Sequence, residues 1–73
     1  MDTMQLRNEG LSVREFEVLE LLAHGCKNRE IALALDVEES TVRFHVKRIL
    51  HKLRVKNCAK AVYYACRNGL FKE

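Results

Sequence analysis

Between Glu39 and Leu53 the apolar residues Val42, Val46, Ile49 and Leu53 recur at intervals of four, three and four. At 100° per residue they fall on one narrow stripe, the signature of an amphipathic α-helix. Opposite that stripe lie Ser40, Arg43, Phe44, Lys47 and His51, and Thr41, His45, Arg48 and Lys52 flank it. Glu38 and Glu39 stand at the start, where the helix dipole favours acids, and the bases gather toward the end, where it favours cations. A helix over about 39–53 with one core face and one basic face is therefore the fixed point around which the rest of the chain must fold.

Three further helices can be placed around it. Ser12 and Glu15 have the spacing of a capping box, with Leu11 and Phe16 placed for a hydrophobic staple. That helix runs over about 12–24 through Leu19, Leu22 and Ala23, and Gly25 suits a left-handed stop. A shorter helix over 28–35 has Ile31, Ala32 and Leu35 as its inner face. Asp36 then tolerates a left-handed turn, and Val37 is expected to plug the core. The last helix covers about 58–68, capped by Asn57 and ended by Gly69. Its expected inner side is Cys58, Ala61, Val62, Ala65 and Cys66, with Lys60, Tyr63, Tyr64 and Arg67 outside. The ten residues before the first helix read as a tail or truncated linker, and 11–73 as one domain. The absence of proline and only three glycines agree with an all-α fold.

The net charge of +3 conceals a division. From Thr41 to Lys72 there are nine bases and no acid, whereas the first 39 residues hold nine acids against four bases. Such a split points to a polyanionic partner for the C-terminal half. No apolar run reaches the length of a membrane span, and the polar N-terminus lacks the apolar stretch of a signal peptide. Cys26, Cys58 and Cys66 are odd in number and form no C-x-x-C pair, so free thiols in a reducing cytoplasm are expected, and neither a metal nor a cofactor. No Gly-rich loop or acid–base pair suggests an enzyme.

Two helices of about eight and fifteen residues, separated by about three and with a basic outer face on the second, form the pattern of a helix-turn-helix DNA reader. An α-helix fits the major groove of B-DNA, and its neighbours must grip phosphates to hold the register. Arg43 can bind guanine bidentately, and Phe44, between two bases, can meet a thymine methyl. A single exposed Phe is also common on ordinary surfaces. Arg48, with Lys52 and Lys56, offers backbone grips. Lys52 is equally placed to pair with Glu15, which projects into the apolar arc of the first helix, although the local capping box is the simpler account of that acid.

These residues also carry a family resemblance. Leu11-Ser12-Val13-Arg14-Glu15-Phe16-Glu17-Val18-Leu19, Asn28-Arg29-Glu30-Ile31-Ala32, Ser40-Thr41-Val42-Arg43-Phe44-His45, Ile49-Leu50-His51-Lys52-Leu53 and Val55 followed by Ala61-Val62 resemble the LuxR/GerE-type DNA-binding domain over about 11–71. The resemblance implies a four-helix fold and a bacterial transcription regulator that binds duplex DNA as a dimer. It implies that Arg43, Phe44 and Lys47 face the groove, joined by Ser40 on the same side. Thr41, His45, Asn28 and Arg29 would hold phosphates, with Lys27 adding charge nearby. The family usually has Ser or Thr at Lys27, Ser at Glu38, often Gly or Asn at Arg54, and commonly Arg at Cys58. Weakened caps at Lys27 and Glu38 would cost about 1 kcal/mol each.

The reading is thus a sequence-specific DNA-binding domain working in the bacterial cytoplasm and on the nucleoid. A homodimer through helix 58–68, using Tyr63, Tyr64 and Arg67, would double the contacted sequence. RNA polymerase is a further candidate partner. Two alternatives stand beside it: a sigma-factor-like promoter reader, and a small helical protein-interaction module whose basic face binds an acidic protein.

Overall fold

The computed structural model describes residues 10–71. The tail before Gly10 and the last basic residue, Lys72, lie outside them. Four helices follow in order: α1 (Val13–Ala23), α2 (Asn28–Leu35), α3 (Glu39–Leu53) and α4 (Cys58–Arg67). The ranges expected from sequence agree to within a residue at each end. No strand occurs among the described residues.

The starts of the helices differ in quality. Ser12 Oγ accepts the Glu15 amide at 3.1 Å, and Glu15 Oε1 accepts the Ser12 amide at 2.9 Å, so the capping box at α1 is complete. Asn57 Oδ1 accepts the Lys60 amide at 2.8 Å and caps α4. At α2 the Lys27 side chain cannot accept, but Glu30 reaches back to the Lys27 amide at 2.7 Å and supplies half of a box. Glu38, at the start of α3, makes no side-chain cap.

The ends share one device. Gly25, Asp36, Arg54 and Gly69 all have φ between 58° and 88°. After each, the next amide reaches five residues back: Cys26 to Leu21, Val37 to Ala32, Val55 to Leu50 and Leu70 to Ala65, at 2.9–3.1 Å. This is the Schellman motif, and each time the residue beyond the stop is apolar and packs on the core. Two of the four stops use non-glycine residues. A Cβ at Gly25 would meet nothing within 4 Å, so glycine is favoured there by its torsion angle of 88° rather than by space.

The core sits under α3, which packs against all three other helices, while α1 also touches α2 and α4. Leu19, Ile31, Ile49, Val18 and Val42 are wholly buried. Val46 and Leu53 complete the stripe read from sequence, and Val37 packs against the core as expected. Beyond α4, Leu70 is buried and Phe71 lies 5.7 Å from Phe16 between ring centroids, fastening the C-terminal turn to α1. One expectation is corrected. Tyr64 packs against the core, whereas Cys66 is exposed. The inner face of α4 is therefore turned so that Cys58, Ala61, Val62, Tyr64 and Ala65 face inward. The phenol ring brings more apolar surface to that face than the thiol would.

Candidate nucleic-acid interface

The outer face of α3 is fixed by its inner one. Because Val42, Val46, Ile49 and Leu53 are locked into the core, the residues half a turn away have nowhere to go but solvent. Arg43, Phe44 and Lys47 are exposed, and Phe44 leaves 56% of its surface open. Asn28, Ser40, Arg43, Phe44, Val46 and Lys47 line one shallow cleft, which joins the start of α2 to the first turns of α3. A second cleft continues along the helix and is lined by Phe44, Lys47, Arg48, His51 and Lys52. The four residues proposed to face bases thus share one surface, with Phe44 and Lys47 bordering both hollows.

The charges on this face are held loosely at one end and firmly at the other. Arg43 Nη1 lies 3.3 Å from Glu39 one turn back, and both side chains are about half exposed. Such a pair contributes little and is easily exchanged for another anion. Arg48 Nε instead donates to Glu15 Oε2 at 2.9 Å, and Lys52 Nζ donates to Glu15 Oε1 at 2.7 Å. The Arg48 guanidinium carbon also lies 5.6 Å from the centre of the Phe44 ring, a cation–π distance.

Glu15 is only 2% exposed. Burial alone would push its carboxyl up. The bonds from Lys52, the Ser12 amide and Arg48 outweigh that and hold it down to about 2, against an ordinary 4.5. The local capping box is therefore only half of what Glu15 does. The same carboxylate ties α1 to the third and fourth turns of α3.

The remaining expected phosphate contacts are spread around this surface. Lys27 and Arg29 are exposed at the start of α2, outside both clefts, and Thr41 is half-buried on the flank of α3. His45 is half-buried, its ring 5.7 Å from that of Phe44, and its Nδ1 is buried without a hydrogen-bond partner. Away from this surface, Tyr63 is exposed and carries the Arg67 guanidinium 5.9 Å above its ring. His51, which borders the second cleft, was not among the expected contacts, although its position on the basic side of the helix was visible in the periodicity.

Residues 9–65 match the family model described as bacterial regulatory proteins, luxR family. The chain belongs to the luxR family. Relatives include the uncharacterized transcriptional regulatory protein YxjL of Bacillus subtilis, 47% identical over 62 residues, or 85% of this chain and 28% of that protein. The transcriptional regulatory protein DesR of the same species is 40% identical over 72 residues, or 99% of this chain and 36% of DesR. The nitrate/nitrite response regulator NarL of Escherichia coli is 39% identical over 61 residues, or 84% of this chain and 28% of NarL. The chain thus spans about a third of the length of the curated relatives it matches.

This LuxR-family chain is a DNA-binding transcription-regulator domain, and its family is not one of enzymes. Among the described residues, no group of three or more His, Cys, Asp and Glu could hold a metal ion. No helix among them is long and apolar enough to cross a membrane.

Proposed function

We propose that this LuxR-family domain binds double-stranded DNA sequence-specifically, with α3 in the major groove and two copies on a palindromic site. Ser40, Arg43, Phe44 and Lys47 are the base-facing residues. Lys27, Asn28, Arg29, Thr41, His45 and Arg48 grip the backbone. The observation that carries this reading is the shared cleft of Ser40, Arg43, Phe44 and Lys47 beside Asn28. It sets a bidentate donor, an apolar ring and an ammonium side by side on a helix narrow enough for the groove. The arrangement suits a guanine next to a thymine: Arg43 takes O6 and N7, and the Phe44 ring covers the methyl.

A dimer is supported by size and surface. The described domain measures 28 × 25 × 19 Å between Cα extremes. Two α3 helices in successive major grooves would stand about 34 Å apart, a separation that a pair of bodies of this size can span. The exposed Tyr63 and the Arg67 above it offer the aromatic and guanidinium chemistry of an interface. The place of work is then the bacterial cytoplasm, on the nucleoid.

Selection of bound duplexes from a random pool, followed by titration at several salt concentrations, tests the reading. A palindromic consensus is expected. With three cationic backbone contacts per copy, Lys27, Arg29 and Arg48, log Kd against log salt should have a slope of about 3 per copy. Arg43→Ala should relax preference at one base position by about 1–3 kcal/mol. An unchanged base preference in that variant, or an affinity nearly independent of salt, would sink the mechanism. A single asymmetric footprint would favour a promoter-element reader.

A further inference from the structure

The Glu15 cluster has a geometry that neither the capping box nor the core requires. Its carboxylate is buried, yet its partner Arg48 keeps half of its side chain exposed and borders the second cleft on the α3 face. The bond is made at Nε, 2.9 Å from Glu15 Oε2. A guanidinium engaged at Nε still carries four N–H donors on its two terminal nitrogens. The Phe44 ring, 5.6 Å from the guanidinium carbon, restrains the group from a second side. Lys52 is treated differently: its one nitrogen lies 2.7 Å from Glu15 Oε1, and only 25% of the side chain is exposed.

We propose that Glu15 is a positioning residue for DNA binding: it holds Arg48 by Nε so that the outer edge of the guanidinium is presented to one backbone phosphate, while Lys52 is spent inside the protein as counter-charge. This rests on the reading of α3 as the DNA-contacting helix. The reason is preorganisation. A long side chain fixed before contact gives up less rotamer freedom on binding, and one such group alters affinity about three- to tenfold. Arginine suits this double use because its donors are set in a rigid fork, one for the carboxylate and the rest for a phosphate. A lysine has a single nitrogen and cannot serve both directions.

The sign of one measurement separates this from a purely structural role. A negative charge near DNA repels phosphates, so its removal alone should tighten binding. If Glu15 orients Arg48, its removal should weaken binding, and only while Arg48 is present. The full chain, Glu15→Gln, Arg48→Ala and the double variant are titrated by fluorescence anisotropy with a duplex selected by the wild type. The temperature is one at which circular dichroism shows each variant fully folded. Glu15→Gln is expected to weaken binding about three- to tenfold in the Arg48 chain, and to leave it unchanged or tighter in the Arg48→Ala chain. Arg48→Ala should lower the salt slope by about 0.9, one phosphate's worth. Equal or tighter binding by Glu15→Gln in the Arg48 chain overturns the proposal, as does an equal loss in both backgrounds. Should Glu15→Gln fail to fold, Arg48→Lys decides instead. It keeps the charge on an exposed position, and wild-type affinity in that variant overturns the proposal. A wild-type chain that binds no duplex overturns this inference and its parent together, and shows itself before any variant is made.

Discussion

At the scale of single residues, Glu15 has the most to lose on protonation. Its folded pKa of about 2 lies below the ordinary 4.5, so its contribution is complete above about pH 5 and disappears as the pH falls toward 2. The shift corresponds to about 2–3 kcal/mol once the solvent around the half-exposed Arg48 is allowed for. Urea unfolding from pH 7 to pH 2 should therefore show wild type and Glu15→Gln far apart at neutral pH and converging in acid. Parallel curves across that range would mean that the carboxylate is not the group responsible. Half of the role of Glu15 was legible in the sequence, because Ser12 lies three residues away and the capping box is a local pattern. Of the other half, the Lys52 pair was one of two equal readings of that base, and the Arg48 bond was not legible, because these partners lie 37 and 33 positions further on. Helical phase put both bases on the flank of α3, but only the packing of α1 on α3 decides that Arg48, as well as Lys52, meets this acid. The outer face of α3 needed no such information, since burying four apolar residues exposes Arg43, Phe44 and Lys47 by geometry alone.

At the scale of elements, helix stops matter as much as helix cores. All four helices end in the same left-handed turn, but only Gly25 and Gly69 suit it without a side-chain penalty. Asp36 tolerates this conformation better than most residues, whereas Arg54, at φ 58°, has no such tolerance. Arg54→Gly should therefore stabilise the domain by about 1 kcal/mol, a rise of about 4–8 °C in thermal midpoint for a domain of this size. A calorimetric scan checks it, and an unchanged or lower midpoint would show that the turn is not strained. Element boundaries were readable because caps and stops are written in local residues: Ser12, Asn57, Gly25, Asp36 and Gly69 all mark them. The phase of α4 was not. Apolar residues at 58, 59, 61, 62 and 65 surround most of the helix, so periodicity alone does not choose between Tyr64 and Cys66 for the inner side. Packing against α1 and α3 makes that choice.

At the scale of the whole molecule, the proposed pairing through α4 makes a prediction of its own. Tyr63 is 64% exposed and contributes nothing to the core, so Tyr63→Glu should leave the thermal midpoint within about 4 °C of wild type, as surface changes do. Sedimentation on a palindromic duplex should then show one copy bound where wild type binds two, with cooperativity lost. Two copies bound with wild-type affinity would place the interface elsewhere. The four-helix frame as a whole could be read from the chain because its longest helix contacts all the others and carries the clearest periodicity. The same arrangement has a consequence for how such a domain can change. In α3 the side chains that hold the frame together and those proposed to touch bases lie on opposite sides of one rod, with no residue asked to serve both. Ser40, Arg43, Phe44 and Lys47 are all exposed, so they can be exchanged with little cost to folding. The DNA site proposed for it is thus free to drift while its architecture stays put, and a lineage built on this frame could acquire new binding sequences one surface substitution at a time.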